Sequence, residues 1–146
     1  MAPDPSWPAL DLFFKSHPWH GVAIGPDAPR QVTVFVEIVP SDTVKYGLDK
    51  DSGHLKVDRP QVYSNVCPRP YGCVPRTLCG AQVAALAEEK TGRGGLVGDD
   101  DPLDILLLTE KDFTHGNILV QALPIGGLAM LDGSEVDLGR FPIQTC

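Results

Sequence analysis

Gln31-Val32-Thr33-Val34-Phe35-Val36-Glu37-Ile38-Val39 is the stretch that sets the fold class. Val32, Val34, Val36 and Ile38 alternate with Gln31, Thr33, Phe35 and Glu37, the period-2 pattern of a β-strand built largely from β-branched residues. One face is apolar, and the other displays Glu37 as a carboxylate on a stiff support. Around this strand the chain is rich in turns, with Gly 15 and Pro 14 among 146 residues. Such a composition favours short strands and loops over a helical bundle.

After the strand, Asp51-Ser52-Gly53 forms a turn cluster that leads into a second strand ending near Val57-Asp58-Arg59. Asp49-x-Asp51 opens like a calcium loop. That loop needs Gly at its sixth position and Glu at its twelfth, where this chain has His54 and Pro60, so a hairpin turn is expected. Ala81 to Lys90 carries apolar residues at helical spacing, with Glu88 and Glu89 outward. The glycines that follow match neither a P-loop nor a dinucleotide fingerprint, so residues 80–97 read as a mobile helical surface insertion. Ile105–Thr109, Ile118–Leu123 and Ile125–Leu131 read as short buried strands. Before the first strand, residues 1–30 form an irregular arm in which Trp19 is a packing anchor. Pro18 between His17 and His20 argues against a rigid turn presenting both imidazoles to a metal. The expected architecture is one domain over residues 1–146, mainly β (α+β), a small barrel with peripheral helices.

Charge and cysteines narrow the partners. Net charge is −7, from 19 acidic against 12 basic residues. That opposes nucleic acid and anionic membranes, both of which need a basic face. No apolar run approaches the ~20 residues of a membrane span. Met1-Ala2-Pro3-Asp4-Pro5 lacks the basic-then-apolar pattern of a secretory signal, so a cytoplasmic location is expected. Cys67, Cys73, Cys79 and Cys146 then read as free thiols, and the five-residue gaps between the first three do not suit zinc.

The chemistry concentrates in Asp99-Asp100-Asp101-Pro102-Leu103-Asp104, directly ahead of the apolar Ile105-Leu106-Leu107-Leu108. Four carboxylates within six residues repel one another, and hard divalent ions such as Mg²⁺ or Mn²⁺ relieve that repulsion. A second acidic set, Asp132, Glu135 and Asp137, follows the strand that ends at Leu131. Lys45, Tyr46, Arg59 and Tyr71 fall at strand ends and supply the cationic and phenolic groups that bind phosphate.

These segments resemble the soluble family I inorganic pyrophosphatases. The acidic loop is similar to that family's signature. Val36-Glu37-Ile38-Val39-Pro40, Lys45-Tyr46-Gly47-Leu48-Asp49-Lys50, Val57-Asp58-Arg59, Pro70-Tyr71-Gly72 and Ile125 through Asp132 to Asp137 surround it in the family's order. The resemblance implies a five-stranded, closed or partly open barrel of OB type that assembles into homo-oligomers and hydrolyses pyrophosphate with Mg²⁺. It implies that Asp99, Asp104 and Asp137 hold the principal metal and that Asp104 bridges to a second. Asp132 with Asp137 would hold a further ion, with Glu37 reached through water. Asp101 would accept the proton of the attacking water, and Lys45, Arg59 and Tyr71 would bind phosphate.

The chain departs from the family pattern in three places. Gly47 and Gly139 stand where relatives usually carry Glu and Lys, and residues 138–146 are unlike the family's continuation. A truncated or divergent C-terminal end is therefore expected. The alternative function is a catalytically impaired remnant that binds metal or phosphate, or associates with full-length subunits.

Overall fold

The computed structural model describes residues 16–60 and 67–144, and the side chains of these except at 59, 60 and 137–144. Among the described residues the chain is mainly β with one helix, in agreement with the expectation from periodicity and turn content. β1 (Val32–Ile38) is buried at every position. It pairs antiparallel with β4 (Tyr71–Cys73) on one side and with β7 (Ile118–Asp132) on the other. β4 pairs in turn with β6 (Asp104–Leu106), and β6 pairs in parallel with β8 (Glu135–Gln144). β5 (Val97–Gly98) adds to β8, giving a six-stranded sheet in the order β5-β8-β6-β4-β1-β7 with a further pairing of β8 to β7.

The alternation in β1 explains its two environments. Val32, Val34 and Val36 join Val39, Val74, Leu103, Ile105, Leu107, Val120 and Ala122 in the core. The opposite face was expected to display its residues, yet Thr33, Phe35 and Glu37 are buried as well. β2 (Val44–Leu48) approaches it, and the Leu48 N–H donates to Glu37 Oε1 at 2.8 Å. β2 and β3 (Leu55–Pro60) form a separate antiparallel pair, closed by the expected turn at Asp51-Ser52-Gly53.

The expected helix is α1 (Ala81–Thr91), ended by Gly92 in the left-handed conformation, whose N–H reaches the Glu88 carbonyl. The strands expected at Ile118–Leu123 and Ile125–Leu131 are one continuous β7, and the register slips between Pro124 and Gly126. Proline cannot donate to the ladder, so the pairing bulges there and resumes. Beyond the bulge Ile125, Leu128 and Met130 are exposed. β6 is shorter than the strand expected over Ile105–Thr109. Among the described residues no helix is long and apolar enough to cross a membrane.

Candidate active site

Strand ends gather polar side chains around one cavity of about 150 Å³. Glu37 projects into it from β1, Lys45 from β2, Tyr71 from β4, and Asp101 and Asp104 from the acidic loop and the start of β6. Trp19, Tyr46 and Lys50 complete its polar and aromatic lining. The acidic loop is held by main-chain bonds that do not depend on its charges. Cys79 N–H donates to the Asp101 carbonyl (2.8 Å), Asp100 N–H to the Cys79 carbonyl (3.1 Å) and Leu103 N–H to Thr77 Oγ1 (2.8 Å). Asp100 accepts a positive φ of 56°, which lets the loop turn sharply between its carboxylates.

Charge is distributed in pairs. The Tyr71 hydroxyl donates to Asp104 Oδ2, and the Lys50 ammonium pairs with Asp101. Lys45 lies 3.4 Å from Asp58. Glu37 is the exception. Burial, reinforced by the nearby negative charges of Asp104 and Asp101, pushes its carboxyl from 4.5 up to about 7, against the opposing Leu48 N–H and Lys45 charge. Burial likewise raises the thiol of Cys73, with Glu37 and Asp104 adding to it, so this cysteine is a packing residue and not a nucleophile. Cys67 and Cys73 stand outside any disulfide, as expected, and the Cys79 thiol donates to the Val136 carbonyl at 3.0 Å; Cys146 lies outside the described residues.

The Glu37 shift has a sign that can be measured in metal-free protein. The folded state keeps the proton between pH 4.5 and about 7, while the unfolded chain releases it. Stability from this group is therefore complete below pH 4.5, is lost as pH rises through 7, and stays lost above it. That difference corresponds to roughly 3 kcal/mol at pH 8. Glu37→Gln keeps an oxygen for the Leu48 N–H but carries no charge. With a chelator present it should melt well above wild type at pH 8 and near it at pH 4.5; equal melting at both pH values would refute the buried-charge account.

Of the residues singled out by sequence, Glu37, Lys45, Tyr71, Asp101 and Asp104 meet at the cavity. Asp99 does not line it; its Oδ1 accepts the Asp101 N–H at 3.1 Å. Asp132 ends β7 at a hairpin tip, exposed, paired with Glu135 across Gly133 (φ 63°), and does not line the cavity either. Arg59 lies directly across the β2–β3 ladder from Lys45, but its side chain, like that of Asp137, is outside the described residues. The backbone still locates Asp137. Gly98 is in register with Val136 and Asp104 with Gly139, so residue 137 runs between the two ends of the acidic loop.

Sequence reasoning overlooked two contributors. Lys50 falls past the end of β2, where strand alternation no longer says which way a side chain points. Trp19 is the anchor expected, with its Nε1–H bonded to the Thr77 carbonyl at 2.7 Å, and it also lines the cavity.

The donor types fit a hard divalent ion: carboxylate oxygens, mutually repulsive, beside a buried acid whose charge is unfavourable. Among the described residues, however, no three acidic, histidine or cysteine side chains converge closely enough to hold a metal by themselves.

Comparison with known proteins places the chain in a family. Residues 34–138 match the family model described as inorganic pyrophosphatase. An inorganic pyrophosphatase of Chlamydia caviae is 52% identical over 89% of this chain, and that of Chlamydia muridarum 50% identical over 83%. The chain spans about three-fifths of the length of these relatives, 59% and 58%. Among solved structures, the inorganic pyrophosphatase of Thermus thermophilus superposes with a TM-score of 0.68 at 23% identity, covering 90% of this chain and 63% of that one, a likeness of fold. With the family model spanning most of the chain and about half of the aligned residues shared with these relatives, the chain belongs to the inorganic pyrophosphatase family.

Proposed function

We propose that this chain hydrolyses inorganic pyrophosphate to two orthophosphates, with Mg²⁺, Mn²⁺ or another hard divalent ion as cofactor. The observation that carries this reading is the meeting of Glu37, Asp101 and Asp104 with Lys45, Lys50 and Tyr71 around one cavity, in a member of this family. Asp99, Asp104, Asp132, Asp137 and Glu37 are the residues that would hold the ions. Bound there, divalent ions supply charge neutralisation and a more acidic water. Asp101 takes the proton of the attacking water. Lys45, Arg59 and Tyr71 bind the phosphoryl oxygens, and the Asp104–Tyr71 bond sets the phenol's direction before substrate arrives. Positioning and electrostatics then do most of the catalysis.

The same reading takes the chain as a cytoplasmic homo-oligomer with no nucleic-acid or membrane partner. Exposed Leu119, Ile125, Leu128 and Met130 on β7 support a covered surface. The pairing of β8 with both β6 and β7 supports an OB-type barrel closure.

Phosphate release from pyrophosphate in millimolar Mg²⁺ tests the assignment. Turnover is expected to be abolished by chelator; folded protein releasing no more phosphate than Asp101→Asn would overturn it.

A further inference from the structure

The turn at His17–His20 has no part in the proposed chemistry, yet it is bonded to both sides of the cavity. On one side His17 Nε2–H donates to the Lys50 carbonyl at 3.0 Å. His17 Nδ1 accepts from the backbone N–H of Trp19 (3.2 Å) and of His20 (3.3 Å), so all three contacts require the same neutral tautomer. The Lys50 turn also lies flat against this segment. A Cβ at Gly53 would come within 2.8 Å of His17 Cδ2 and 2.9 Å of Pro18 Cδ. On the other side the Trp19 indole donates to the Thr77 carbonyl, and Arg76 N–H donates to the Trp19 carbonyl at 2.8 Å. Thr77 and Cys79 in turn hold the acidic loop through Leu103 N–H and the Asp101 carbonyl.

The two elements braced in this way carry the two ends of one ion pair, Lys50 and Asp101. Their side chains are 54% and 46% exposed, and an exposed pair on flexible side chains fixes little by itself. Fixing the Lys50 backbone removes part of that freedom. We propose that His17 is a positioning residue, which seats Lys50 so that its ammonium meets Asp101 at the cavity and sets the direction of that carboxylate toward substrate. The inference rests on the pyrophosphatase reading for its kinetic consequence, although the brace itself does not need turnover.

Steady-state hydrolysis of Mg²⁺-pyrophosphate is compared for wild type, His17→Ala, His17→Gln, Lys50→Met and the double variant His17→Ala/Lys50→Met. His17→Ala is expected to lower kcat about tenfold with KM within about twofold, the scale of a small misplacement of a reacting group. His17→Gln, whose amide N–H reaches the same carbonyl, should recover most of the loss, and the double variant should be no slower than Lys50→Met alone. Multiplicative losses, or no rescue by Gln, overturn the proposal. Two readouts stand apart from activity. In His17→Ala, amide exchange at Asp49 and Gly53, which close the Lys50 turn, should accelerate, and the Asp101 carboxyl carbon shift should move as it does in Lys50→Met. Unchanged exchange and shift overturn the brace. A wild type that releases no phosphate overturns the pyrophosphatase reading alone, because exchange and shift still decide the brace.

Discussion

Gly72→Ala is expected to melt far below wild type or fail to accumulate as soluble protein. A Cβ at residue 72 would stand 1.9 Å from the Phe35 carbonyl oxygen and 2.9 Å from Val36 Cα. Both are backbone atoms of the central strand and cannot rotate away. Gly72 is in register with Val36 on β1 and with Ile105 on β6, so β4 must part from one of them. Val36 and Ile105 are fully buried, and the core opens whichever partner is lost. The cost should be on the order of 4 kcal/mol, a large share of the 5–15 kcal/mol that holds a typical domain together. Gly47→Ala makes the same chemical change where an added Cβ meets nothing within 4 Å. Its urea midpoint should correspond to a change below about 0.5 kcal/mol. Equal midpoints for the two variants would show that β1 and β4 are not packed this closely.

The second large effect falls on catalysis. Asp101→Asn should lower kcat by about 10³ while leaving the melting temperature close to wild type, the scale of losing a general base. The loop's main-chain anchors, Asp101 N–H to Asp99 and Cys79 N–H to the Asp101 carbonyl, survive the change. The amide is nearly isosteric but cannot take a proton, and it gives up the ion pair with Lys50. KM should change less than about threefold, because a group acting mainly in the transition state contributes little to substrate binding. Steady-state kinetics beside a thermal melt separates the two quantities. A kcat within about tenfold of wild type, from protein that melts normally, would remove Asp101 from the proton-accepting role.

What was legible in the sequence follows physical range. β1, α1 and the Asp51–Gly53 turn rest on local periodicity and turn chemistry, and each forms where expected. The burial of Glu37 rests on β2 approaching β1, a tertiary event that alternation along β1 cannot report. Separate strands were expected over Ile118–Leu123 and Ile125–Leu131, but the β8 ladder carries β7 through both with a slip in register. In the site, residues at strand ends or in the acidic loop were readable because their spacing fixes their neighbours. Lys50 lies past the end of β2, beyond that reach, and only the folded chain brings it to the cavity beside Asp101. Asp99 and Asp132, which the family resemblance groups with the others, do not line the cavity. The loop turns one toward its own backbone, and the hairpin puts the other at an exposed tip.

β8 is hydrogen-bonded to β5, β6 and β7, and its residues 136 and 139 flank the acidic loop. During synthesis the carboxylates at 99–104 therefore leave the ribosome well before the strand that closes around them. Until residues 135–140 are made, β5 and β6 have no partner on that side, and the loop rests on earlier residues, among them Lys50, Tyr71, Val74, Thr77 and Cys79. The sheet around the acidic loop is therefore completed only by a strand made after it, a non-local closure that comes late in folding.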